Sequence, residues 1–123
     1  MLITYKNVSI RHEDDDYVLK GVNLEVAAGD LIYIIGKVGS GKSSIIRSLY
    51  GEVEIDECDE ATVLGNDMFS IRRKDLQPLR RELGIIFQDF KLLTDRNIHK
   101  NLEFVLKATG WKDKTDREQR ISE

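Results

Sequence analysis

The sequence holds one cysteine, one proline and one tryptophan, and no stretch approaches the ~18 consecutive apolar residues of a membrane-spanning helix. Cys58 stands alone between Glu57 and Asp59, so it has no internal disulfide partner, and its acidic neighbours favour the thiol over the reactive thiolate. The opening Met1-Leu2-Ile3-Thr4-Tyr5-Lys6 lacks the basic stretch and apolar run of a signal peptide, so a cytoplasmic location is expected. An excess of basic charge is also missing. The 19 Lys and Arg residues against 22 Asp and Glu give a net charge of -3, which offers no field for a nucleic-acid partner. Repeats and low-complexity tracts are absent. What is present is 41% apolar residues over 123 positions, enough for one domain with its own core.

Apolar and polar residues alternate over 3–10 and again over 18–26, the period of half-buried strands, and the two are expected to pair as neighbours. Between them Glu13-Asp14-Asp15-Asp16 would repel one another in a strand, so they belong to an exposed turn. The spaced ligands and glycine of a calcium loop are missing there. Leu31-Ile32-Tyr33-Ile34-Ile35 is apolar without alternation, as expected of a strand buried on both faces of a parallel sheet. A second such strand is expected over 83–87, with short strands over 52–55 and 61–64. Helices are expected over 75–81, despite Pro78, and over 97–107, where Ile98, Leu102, Val105 and Leu106 share a face. Another begins near Thr115.

The run Gly36-Lys37-Val38-Gly39-Ser40-Gly41-Lys42-Ser43-Ser44 follows the apolar run 31–35 and precedes a helical pattern over 45–50. Gly36-x-x-x-x-Gly41-Lys42-Ser43 satisfies the Walker A pattern of phosphate loops. Its glycines let the chain curl so that successive backbone N–H groups point inward, and the helix adds its positive N-terminal end. Lys42 supplies a mobile charge for the β- and γ-phosphates of a bound nucleotide, and the Ser43 hydroxyl suits a Mg2+ ligand. This pattern alone does not separate kinases, GTPases and transport or motor ATPases.

The stretch Leu83-Gly84-Ile85-Ile86-Phe87-Gln88-Asp89-Phe90-Lys91-Leu92-Leu93-Thr94-Asp95-Arg96 resembles the Q-loop of ATP-binding-cassette ATPases. That resemblance implies that Gln88 reaches the Mg2+ and the attacking water. It also implies an α/β fold: a P-loop NTPase with a RecA-like parallel core, an N-terminal antiparallel β layer and the start of a helical subdomain. The β layer and core would occupy 1–96, and the helical subdomain would begin over 97–123. Phe87-Gln88-Asp89-Phe90-Lys91-Leu92-Leu93, with the opening Tyr5-Lys6-Asn7-Val8-Ser9, looks especially like the FtsE family of cell-division ATPases. Membership implies a head-to-tail homodimer that sandwiches two ATP molecules, sits on the inner face of the plasma membrane and drives an integral membrane subunit, FtsX. Phe90, Leu92 and Leu93 would lie where such a subunit docks, or would pack the loop locally.

Some positions depart from the family pattern. The adenine-stacking aromatic after the first strand is replaced by His12, with Tyr17 as the other candidate, and Val38 stands where a polar side chain is common. No Leu-Ser-Gly-Gly-Gln signature, Walker B strand or switch histidine occurs up to Glu123, so the chain reads as a fragment that binds ATP without hydrolysing it alone. Three rival readings remain open. The chain is compatible with an ATPase subunit for lipoprotein release or amino-acid import, with a small P-loop kinase closing Arg72-Arg73 and Arg80-Arg81 over the phosphates, or with a nucleotide-binding module without catalysis.

Overall fold

The computed structural model describes residues 1–11, 16–37, 39–87 and 92–123. It falls into two units, Met1–Leu83 and Gly84–Glu123. In the first, strands β1 (Ile3–Arg11), β2 (Tyr17–Val26), β3 (Glu60–Val63) and β4 (Asn66–Asp67) form one sheet in the order β2-β1-β3-β4. Every ladder in it is antiparallel.

The alternation along β1 breaks at Lys6-Asn7. Tyr5 pairs with Leu24 but Val8 pairs with Val22, so β1 carries an extra residue there, and Asn7 adopts φ +54°. This bulge returns Val8 and Ile10 to the same buried face as Tyr5. A compensating extra residue on β2 places Gly21 at φ +65°. Each bulge would strand a backbone amide. Asn23 Oδ1 accepts from the Asn7 N–H at 3.0 Å, and Ser9 Oγ accepts from the Gly21 N–H at 3.1 Å.

Helix α1 (Lys42–Leu49) is anchored to this sheet by a buried relay. Ser48 Oγ donates to the Ile45 carbonyl at 2.6 Å, and the Tyr5 hydroxyl meets that Oγ at 2.9 Å, which makes Tyr5 the donor. Burial raises the Tyr5 pKa, with the Ser48 contact opposing the shift. Helix α2 (Arg73–Arg81) seats Leu79 in the core beside Tyr5, Val8, Ile10, Ile55, Ala61, Val63 and Met68. Pro78 lies inside α2, where it cannot donate to the Lys74 carbonyl; the helix ends three residues later at Arg81.

The expected strands over 31–35, 52–55 and 83–87 do not form. Leu31, Tyr33 and Ile35 are 80%, 80% and 91% exposed, and Ile86 is 90% exposed. A strand exists only through ladder bonds to a neighbour, and no described residue offers one to these runs. Residues 52–55 turn back after α1 instead, with Glu52 N–H donating to the Arg47 carbonyl at 3.0 Å while Ile55 enters the core.

In the second unit, α3 (Ile98–Ala108) starts at Asn97, whose side chain accepts from the Lys100 N–H, and α4 (Lys114–Ser122) starts at Asp113, which accepts from the Asp116 N–H. Gly110, at φ +100°, reverses the chain after α3: its N–H donates to the Lys107 carbonyl and that of Trp111 to the Leu106 carbonyl. None of the α3 residues is buried, so its expected apolar face stays open among the described residues.

Candidate functional site

The Walker A segment curls as its glycines require. Ser40 N–H donates to the Lys37 carbonyl at 3.0 Å, and Gly39 and Gly41 take the left-handed angles φ +83° and +93°. Helix α1 begins directly after Gly41 with no side-chain cap, so the amides of Lys42, Ser43 and Ser44 have no intrahelical acceptor and head the positive end of the helix. The Lys42 ammonium reaches back across the loop to donate to the Gly36 carbonyl. Ser43, at the second helical position, presents its side chain to solvent.

Two of the glycines leave little room for a side chain. A Cβ on Gly36 would lie 2.5 Å from Ser40 Oγ, and one on Gly41 would lie 2.7 Å from Leu19 Cδ2. Leu19 of β2 thus forms a floor beneath the loop that motif reading missed, because sequence spacing gives no sign of which distant apolar residue packs there. Free amides at a helix start, a left-handed glycine curl and one mobile ammonium form a donor set that fits a polyphosphate, and the Ser43 hydroxyl fits a magnesium ligand.

Gly36, Lys37, Gly39, Ser40, Gly41, Lys42, Ser43 and Ser44 are brought together, whereas His12, Val38, Gln88, Asp89 and Phe90 lie outside the described residues. Tyr17 carries the Arg11 guanidinium 4.4 Å from its ring centroid, and its hydroxyl accepts from Arg11 Nη2 at 2.7 Å. Arg80, a phosphate clamp in the kinase reading, donates from Nε to the Tyr50 carbonyl at 2.8 Å. Its charge therefore meets the negative end of α1. Arg72 pairs with Asp75 at 3.4 Å on its own helix. Burial raises the Cys58 pKa, with Asp67 and Asp59 adding to the shift, which disfavours the thiolate.

In the second unit Asn101 is a further residue that pattern reading missed. Its Oδ1 accepts from the Leu93 N–H at 2.8 Å, and its Nδ2 donates to the carbonyls of Leu93, Arg96 and Asn97. That fixes the segment leading into α3 and shapes an open hollow of about 720 Å³ whose apolar lining includes Leu92, Leu93, Ile98 and Leu102.

The family model described as ABC transporter matches residues 19–123. The cell division ATP-binding protein FtsE of Streptococcus pneumoniae serotype 2 is 37% identical over 109 residues, which is 89% of this chain and 47% of that protein. The methionine import ATP-binding protein MetN of Helicobacter pylori strain J99 is 37% identical over 123 residues, 100% of this chain and 37% of that one. This chain therefore spans less than half the length of these two relatives. Among solved structures, a dimeric post-hydrolysis state of the ATP-binding cassette MJ0796 bound to ADP and Pi superposes with a TM-score of 0.84 at 27% identity, covering 98% of this chain and 54% of that one. No helix among the described residues is long and apolar enough to cross a membrane. With a phosphate loop of the required curl and matches along nearly its whole length, this chain belongs to the ABC transporter family and has the P-loop NTPase fold.

Proposed function

We propose that this chain carries the nucleotide-binding half of an ABC ATPase of the FtsE kind, which takes Mg2+-ATP and couples its hydrolysis to an FtsX-like membrane subunit in cell division. The observation that carries the binding step is the loop itself, with Gly41 left-handed, the first-turn amides of α1 free and Lys42 spanning to Gly36. When bound, Mg2+-ATP supplies the transferable γ-phosphoryl group. Lys42 and the amides of 42–44 would hold and orient the phosphates, the Ser43 hydroxyl would ligate the ion, and the Gln88 amide would orient water without adding charge. His12 or Tyr17 stacks on adenine. The MJ0796 cassette, dimeric with ADP and Pi bound, supports assembly of the whole protein as a homodimer. The hollow beside Leu92 and Leu93 gives a membrane subunit an apolar seat on the cytoplasmic side.

Calorimetric titration with Mg2+-ATP tests the site. Lys42→Ala should remove about 1.5–3 kcal/mol of binding, the usual worth of a charge-assisted contact. Unchanged affinity in a folded variant overturns the reading. A second reading, methionine import, is favoured by the MetN match, which runs the full length of this chain at the same identity. Depleting the protein in its own cell separates the two. Filamentation with normal uptake of labelled methionine supports the division role, and lost uptake with normal division supports import.

A further inference from the structure

Away from the phosphate loop, three side chains converge between the two helices of the second unit. His99 and Glu103 stand four residues apart on α3 and so share a face. Glu118 approaches from α4, which is set in place by the Gly110 reversal and by Arg117, whose Nη1 donates to the carbonyls of Trp111 and Lys112. His99 Nε2 lies 2.9 Å from Glu118 Oε2, and His99 Nδ1 lies 3.9 Å from Glu103 Oε2. One donor atom from each residue can be chosen so that all three fall within 4.8 Å of one another.

We propose that His99, Glu103 and Glu118 form a binding site for a divalent transition-metal ion of the zinc type, which fastens α3 to α4. An imidazole nitrogen with two carboxylate oxygens is the donor set of zinc-like ions, whereas magnesium and calcium prefer oxygen alone. Around an ion with ligand bonds near 2.0–2.2 Å, tetrahedral donors stand about 3.3 Å apart. The imidazole can offer only one of its two nitrogens to the ion, and with one donor atom taken from each residue the three already lie within 4.8 Å of one another, so small side-chain rotations bring them to that spacing. Side chains of His99 and Glu118, 43% and 45% exposed, have room to close the set, and Glu103, only 17% exposed, is held as its fixed corner. Lys107 Nζ engages Glu103 Oε1 at 2.9 Å, which keeps that carboxylate ionised and leaves Oε2 for the ion. Three protein donors leave a fourth position for water. The competing arrangement is a His99 ring that stays in polar contact with the two carboxylates and binds no metal.

Titration with Co2+ alone, without Mg2+ or nucleotide, separates the two through visible d–d absorption. The wild-type protein should saturate with a four-coordinate spectrum. His99→Ala and Glu118→Gln should each weaken binding at least about tenfold, since even a ligand's hydrogen-bonding neighbour typically contributes that much. His12→Ala and Cys58→Ser should keep the spectrum, which excludes the other imidazole and the thiol. Zn2+ should raise the thermal midpoint of the wild type and not that of His99→Ala. The site is overturned if the wild type shows no saturation below millimolar Co2+, or if His99→Ala binds as the wild type does.

Discussion

Strand β1 and the run 31–35 are both rich in β-branched and aromatic residues, yet β1 buries Tyr5, Val8 and Ile10 while Leu31, Tyr33 and Ile35 face solvent. The difference lies in partners. β1 has a ladder on each side, to β2 and to β3, whereas no described strand pairs with 31–35. Apolar composition supplies the drive to leave water, but a backbone enters a sheet only where another backbone accepts its hydrogen bonds.

The widest contrast comes from truncating one side chain in each region. Leu79→Ala, at a site 1% exposed, should destabilise the first unit by about 2–5 kcal/mol, because it loses the transfer energy and leaves a cavity. Ile35→Ala should stay within about 0.5 kcal/mol, as for an exposed position. Urea unfolding measures both, and an equal loss at Ile35 would mean that the run is packed in solution. Next in size is the relay beneath α1. Tyr5→Phe removes the donor to Ser48 and should lower stability by about 0.5–1.5 kcal/mol in the same assay; no change would show that packing alone anchors the helix.

The smallest effect concerns the edge of the same ladder. Lys6 and Glu60 face one another across β1 and β3 at 3.1 Å, and the hydrogen bond and charge of Glu60 raise the Lys6 pKa above the ordinary lysine value. A raised folded-state value means that the contribution is complete at neutral pH and is lost as pH climbs through and beyond the lysine range. Lys6→Met should therefore show a shallower alkaline decline in urea midpoint than the wild type. Parallel declines would remove the pair from the account of stability.

Much of this was legible beforehand for physical reasons that also mark the limit. The periodicities over 3–10, 18–26 and 97–107 and the turn chemistry around Gly36 and Gly41 are local properties, and the corresponding strands, helices and loop appear. The β1 bulge was hidden because Lys6-Asn7 looks like an ordinary pair of exposed residues until the Asn23 side chain is seen to replace a ladder bond. Runs 31–35 and 83–87 were misread as strands because their fate depends on neighbours rather than on their own residues. Asn101 and Leu19 escaped for the same reason, since one serves a loop eight residues back and the other fills space beneath a loop twenty-two residues ahead.

The 2.7 Å approach of Leu19 to the absent Cβ of Gly41 has a mechanical meaning. Leu19 occupies the space that a side chain at position 41 would need, so the loop and the β2 strand are related by exclusion of volume rather than by a bond. Such a contact transmits a push but not a pull. A ligand that tightens the loop downward would press on Leu19 and load the β1–β2 ladder, while one that lifts the loop would leave the hairpin undisturbed. Shortening Leu19 to alanine would add slack to that coupling while leaving the left-handed turn at Gly41 as demanding as before, so reach and handedness at this junction can be varied independently.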